Sequence, residues 1–403
     1  MLCLNALLLA VFFGGIAIGY FGRVMEKSPL MFQDFTRYYT FGWIARSPQR
    51  ADLYDPVLQF ARQVDLLRAH YHGAIPMIYS WPIDYTPPLA IVMAPVTIIP
   101  FPFAMLACQL LGLAAAGFSI YLLRGRGWRD AIYFVSGVAL CVFSWRALAI
   151  GQLTWLIVGG VGLYFYCLLR GRSILAGLLL ALLAVIKVQY AVYFAIPLLP
   201  LIERKAIVAG AGMTLALIVA SGLVLGWDAV WIYPSLLMHT QSHDPGINSM
   251  ICLRALVDIV LHRPLSSIAA VVIALSGMGM TFAMWWKVRK NSYSTSWAVA
   301  ATIGLSIVTN FHAHNFDSLL LAIAAAVTLP TLDPFSVREM EDRITRVWCW
   351  SVLSLPMLSW IVMKIPDAFE VARCAVLVLV ATYITALAVW QFWRSPKLAQ
   401  SPH

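Results

Sequence analysis

The chain has 403 residues, 61% of them apolar and only 11% charged, with a formal charge of +10 at pH 7 and a mean hydropathy of +0.81. A soluble domain carries about 25% charged residues, so this composition excludes a water-soluble globule and makes lipid the solvent for most of the surface. The basic residues lie in short runs between apolar stretches, the pattern that orients membrane proteins, which argues against nucleic-acid binding.

A transmembrane helix needs about 20 apolar residues, fewer when several pack together. In chain order the apolar segments predict spans over 2–21, 102–123, 131–149, 153–169, 174–186, 189–201, 206–226, 265–286, 297–309, 316–329, 347–363 and 371–393. The first has neither a basic n-region nor a small-residue cleavage site, so it reads as a retained span rather than a signal peptide. A long insertion, 22–86, follows it. Within that insertion 55–70 has helical amphipathic spacing, with Leu58, Val64, Leu66 and Leu67 toward a membrane surface and Arg62, Asp65 and Arg68 toward water. The run 87–100 is short and bounded by prolines, and reads as a re-entrant or half-depth helix buried against its neighbours. A second insertion covers 227–264. The expected fold is thus an all-α polytopic membrane protein. It is one domain over 1–403, a bundle of about twelve transmembrane helices with a re-entrant helix and a small helical extracytoplasmic cap.

The basic runs are Arg124/Arg126/Arg129, Arg170/Arg172, Arg204/Lys205, Lys287/Arg289/Lys290, Arg338/Arg343/Arg346 and Arg394/Lys397. If 87–100 does not cross, all of them fall on one side, which the positive-inside rule makes cytoplasmic. Both termini are then cytoplasmic and both insertions extracytoplasmic, in a bacterial inner (plasma) membrane. If 87–100 crossed, that agreement would break. The seven cysteines contain no CxxC pair, and all but Cys252 fall in or beside apolar segments, so neither a disulfide framework nor a metal pair is expected.

On this topology the unusual polar residues gather at the extracytoplasmic ends of the spans. They are Asp34, Asp84 with Tyr85, Gln152, Lys187, Asn248, and the group His312, His314, Asn315 and Asp317. Ionisable residues at membrane depth are expensive and mark sites or pathways. Each also has a plainer reading. Asp34 could N-cap a helix with Arg37 as its i+3 partner, Lys187 could snorkel, and Asp317 could cap a helix. His312-x-His314 gives only weak support for a metal, and no Walker loop, GxGxxG helix or nucleophile elbow is present. No cofactor is called for.

This arrangement suits sugar transfer from a lipid-phosphate donor. Asp34 would be the general base. Lys187, Arg37, His312 or His314 would meet the charge of the departing phosphate. Tyr85, Gln152, Asn248 and Asp84 would contact sugar or acceptor, and Tyr38, Tyr39, Tyr54 and Trp81 could stack on sugar rings. A single carboxylate base implies inversion, and a retaining enzyme would need a second carboxylate nearby. The alternative is a transporter or flippase, but transporters place charges at the midplane and often show inverted repeats. No repeat is visible here.

The ordered motifs carry a resemblance. Asp34-Phe35 with Tyr38-Tyr39 is followed by Asp52-Leu53-Tyr54-Asp55-Pro56, then by Tyr85-Thr86-Pro87-Pro88-Leu89 with Pro95 and Pro100. Further on come Gly151-Gln152, Ala176-Gly177 leading to Ile186-Lys187, Asn248-Ser249 and the histidine segment ending at Asp317. In this order they resemble glycosyltransferase family 87, membrane enzymes of the GT-C class that include polyprenyl-phosphate-mannose-dependent mannosyltransferases. The resemblance implies a polyprenyl-phosphate-sugar donor, a lipid or glycan acceptor, no nucleotide sugar and no metal. It matches Asp34 to the catalytic base and His312 or His314 to a residue at the donor phosphate. The departures are Thr86 within the Tyr-Pro-Pro motif, Val188-Gln189 after Lys187 where proline is common, and two histidines in the late loop.

Overall fold

Every regular element among the described residues of the computed structural model is helical. The structure describes residues 33–70, 83–125, 142–242, 250–261 and 267–328, with isolated positions between 127 and 138. The predicted spans 2–21, 347–363 and 371–393 lie outside these residues, as does Asn248.

The first insertion supplies α1 (Gln33–Arg46) and α2 (Pro56–His70). Asp55 Oδ1 accepts the Val57 and Leu58 amides at 2.8 and 3.3 Å and so caps the start of α2. Inside the protein α2 buries polar as well as apolar positions. Gln59, Gln63 and Leu67 are buried while Val57 and Phe60 are exposed. The reason is a backbone clamp, in which the Gln59 amide donates to the Leu53 carbonyl at 2.8 Å and accepts the Ile83 amide at 2.7 Å. Two chain segments thereby satisfy their polar groups through one buried side chain.

Four prolines then set the breaks. Pro87 and Pro88 open α3 (Pro87–Met93), Pro95 opens a 3₁₀ turn (Pro95–Ile98), and Pro100 precedes α4 (Phe101–Arg124). Proline is tolerated at a helix start because its missing N–H would be unpaired there anyway. The segment is therefore two short pieces rather than one straight span, and it packs against α1 through Phe41, Ile44 and Ala90.

The bundle continues with α5 (Val142–Ala149), α6 (Thr154–Leu169), α7 (Ser173–Ile186), α8 (Val188–Ala195), α9 (Leu198–Leu201) and α10 (Arg204–Leu225). After α11 (Trp227–Ser242) and α12 (Leu253–Leu261) come α13 (Ser267–Arg289), α14 (Thr295–Val308), a 3₁₀ turn (Asn315–Leu320) and α15 (Leu321–Thr328). Among the described residues α4, α10 and α13 are long and apolar enough to cross a membrane alone. The predicted span 189–201 is instead two pieces, α8 and α9, and 316–329 begins with a 3₁₀ turn.

Packing sorts the helices into central and lipid-facing ones. Every residue of α14 from Trp297 to Val308 is buried, as expected for a helix apolar all round. By contrast α10 leaves Val208, Leu215 and Leu223 exposed at 71%, 62% and 74%, an apolar face suited to hydrocarbon. Helix α6 lies along α4 and α7, and α7 lies along α10. The last pair crosses closely at Gly177, where an added Cβ would stand 2.1 Å from the Ala206 carbonyl oxygen. Small residues at membrane helix crossings allow this kind of backbone approach.

Candidate active site

The site starts from a junction of two helix ends. Helix α5 finishes in a Schellman turn, with the Gly151 amide donating to Leu148 O at 3.2 Å and the Gln152 amide to Ala147 O at 2.8 Å. Gly151 sits at φ +73°, and a Cβ there would lie 2.4 Å from the Phe35 Cβ. Only glycine suits that turn. The next orphan carbonyl, Ile150 O, accepts the Asp34 and Phe35 amides at 3.0 and 3.3 Å. The unpaired donors at the start of α1 are thus met by an unpaired acceptor at the end of α5.

This junction brings Asp34 to Gln152. The Gln152 amide donates to Asp34 Oδ2 at 2.6 Å, and its Oε1 accepts the Tyr38 hydroxyl at 3.0 Å. The Gln152 carbonyl in turn accepts the Gln109 amide of α4 at 3.0 Å. Asp34 is 8% exposed. Tyr38 lies one helical turn beyond it, on the same face of α1. Its ring stacks on Tyr85, with centroids 4.5 Å apart and planes 17° apart.

Arg37 pairs with Asp84 at 4.0 Å and lies over the Tyr85 ring at 5.7 Å. Burial works against the Arg37 charge, but Tyr85, Asp84 and Asp34 outweigh it and raise its pKa. Loss of water around Tyr38 and Tyr85 pushes both phenols above their ordinary range. Both remain hydrogen-bond donors at neutral pH.

A second polar group forms where α7 breaks. Lys187, at φ −145°, separates α7 from α8. Its Nζ reaches Asp317 Oδ1 at 2.5 Å, so it is held by an ion pair rather than snorkelling. Asp317 is 1% exposed, and its Oδ2 accepts the His314 amide at 3.0 Å. The Nε2 atoms of His314 and His312 meet at 2.8 Å. The histidine segment is held from the second insertion, where Met250 bridges to His314 and the Ile251 amide donates to Ala313 O at 2.7 Å. Asn248, two residues earlier, is outside the described residues.

The two groups share supports. The Thr86 hydroxyl donates to Val185 O at 2.6 Å, tying the Asp84–Tyr85 segment to the residues just before Lys187. Val185 also packs with Phe35, Tyr38 and Leu153 in one core. The turn Asn315–Leu320, which carries Asp317, packs on α5 and α6, the helices either side of Gln152.

Sequence reasoning left several participants unplaced. Asp317 was visible as a polar interruption but not as the partner of Lys187. Arg254 and Asp258 form a buried pair at 3.6 Å, and an Arg254 nitrogen lies 3.5 Å from Phe311 O, next to His312. Their i,i+4 spacing on an amphipathic helix was the available signal.

Comparison with known proteins places one family on this chain. The family model described as Glycosyltransferase family 87 matches residues 83–310. The matched region includes Asp84, Tyr85, Gln152, Lys187 and Asn248; His312 and His314 lie just after its end, and Asp34 lies well before its start, in the first insertion. No curated protein matches the chain.

Proposed function

The chain belongs to glycosyltransferase family 87, and from that premise we propose that it moves a sugar from a polyprenyl-phosphate donor to a lipid or glycan acceptor. Mannose is the sugar favoured by family analogy, and another hexose or a pentose would fit the same chemistry. The reaction takes place on the extracytoplasmic face of a bacterial inner membrane, with both termini cytoplasmic.

The supporting observation is a buried carboxylate, Asp34, oriented by Gln152, together with a cation and imidazole cluster around Lys187. In the proposed reaction an acceptor hydroxyl oxygen bonds to the anomeric carbon as the bond from that carbon to the phosphate oxygen breaks. Asp34 takes the hydroxyl proton. A positioned base contributes about 10²–10⁴-fold. The phosphate keeps the electron pair, and the charge it gains is met by the Lys187, His312 and His314 cluster, with Arg37 on the Asp34 side. A single displacement inverts the anomeric centre. Retention would need a second free carboxylate about 5 Å from the first, and Asp84 is engaged by Arg37.

The test is transfer of labelled sugar by purified protein in nanodiscs, from a panel of polyprenyl-phosphate sugars to a glycolipid extract. Wild type turns over with one donor, and Asp34→Asn loses about 10²-fold or more while still binding it. Full activity in a folded Asp34→Asn would remove Asp34 from the chemistry.

A further inference from the structure

A glutamine amide has a donor end and an acceptor end of nearly the same shape. At Gln152 the two ends meet residues one turn apart on α1. Nε2 donates to Asp34 Oδ2 at 2.6 Å, and Oε1 accepts the Tyr38 hydroxyl at 3.0 Å. An ionised carboxylate only accepts, so the amide nitrogen must face Asp34. The amide oxygen is then turned the other way. Gln152 is 8% exposed, and a buried acceptor left unpaired is costly. The Tyr38 hydroxyl supplies the donor. Residues at i and i+4 are neighbours on a helix surface, so one rigid element grips the amide at both ends.

The phenol is itself held in place. Tyr38 is 2% exposed and its ring stacks on Tyr85 with centroids 4.5 Å apart. Tyr85 is fixed in turn, because its carbonyl accepts the Tyr54 hydroxyl at 2.6 Å. The Tyr54 ring lies against Phe41 of α1, with centroids 5.7 Å apart. A ring enclosed in this way presents no platform to a sugar. Stacking on substrate, the role suggested by residue type, is not one that the position of Tyr38 allows.

We propose that Tyr38 is a positioning residue for the transfer reaction, its hydroxyl keeping the Gln152 N–H aimed at the Asp34 carboxylate. This rests on the reading of Asp34 as general base given above and adds to it what orients the base. Tyr38 acts through Gln152 and not on substrate. Its hydroxyl therefore contributes to the proton-transfer step and not to donor or acceptor binding, since a misaimed base slows reaction from a complex that still forms.

The experiment is a double-mutant cycle on the full chain in nanodiscs, with the polyprenyl-phosphate sugar that wild type accepts and glycolipid extract as acceptor, each varied in turn. Wild type, Tyr38→Phe, Gln152→Leu and the double variant are compared, with melting temperatures to confirm folding. If Gln152→Leu does not fold, the unbranched Gln152→Met takes its place. Tyr38→Phe is expected to lower kcat and kcat/KM equally, by about 3- to 10-fold, the loss of one neutral hydrogen bond. In the Gln152→Leu background the same change is expected to add nothing, because residues that act through one another are not additive. A full additional loss in the double variant overturns the proposal, as that effect would not pass through Gln152. So does a raised KM with kcat unchanged, which would make Tyr38 a substrate contact. Both of those outcomes leave Asp34 and the donor reading standing. Absence of turnover by wild type with every donor in the panel overturns the donor reading and this proposal with it.

Discussion

Gln152 is a single residue on which three side chains depend. Its amide holds Asp34 at 2.6 Å, its side-chain oxygen takes Tyr38, and its carbonyl takes Gln109. Gln152→Leu withdraws the side-chain part and keeps the backbone part. A hydrogen bond to a charged group is worth about 1.5–3 kcal/mol, so kcat/KM in the transfer assay falls about 10- to 100-fold with the melting temperature little changed. The buried phenols give a second outcome at this scale. Tyr38 and Tyr85 hold their protons more tightly when folded than when unfolded. Their contribution is fully present below the ordinary phenol range near 10 and is lost as pH rises above it. Melting temperature followed to pH 11 declines, and Tyr38→Phe with Tyr85→Phe flattens that decline.

At the scale of elements, the crossing of α7 and α10 positions Lys187. The Gly177 site is closed by the backbone of Ala206, which cannot turn aside as a side chain could. Gly177→Leu forces the helices apart, at the 1–3 kcal/mol or more typical of overpacking. The expected outcome is a lower melting temperature and reduced transfer together, since Lys187 is the residue that ends α7. Unchanged stability would mean the crossing is looser than 2.1 Å implies. Prolines marked the breaks around α3 in the sequence itself. The burial of Gln59 on α2 was not legible in the same way, because it is polar by type and is buried through its bonds to Leu53 and Ile83.

For the molecule as a whole, the proposed orientation puts α1 and α2 outside and the basic runs inside. In a cysteine-free background, Asp52→Cys is expected to react with a membrane-impermeant maleimide on intact cells. Lys290→Cys is expected to react only after permeabilisation. Labelling of both from one side would overturn the orientation. The sequence by itself determined that this is a membrane protein, that it is helical, where prolines break it, and which polar residues stand out against apolar surroundings. Those properties follow from composition and local spacing, which any segment of the chain carries alone. Only the tertiary structure decided which of these residues meet. Asp34 and Gln152 are 118 positions apart, and Lys187 and Asp317 are 130 apart. Such pairs are set by how helix ends dock and how closely helices cross, and no local periodicity encodes that.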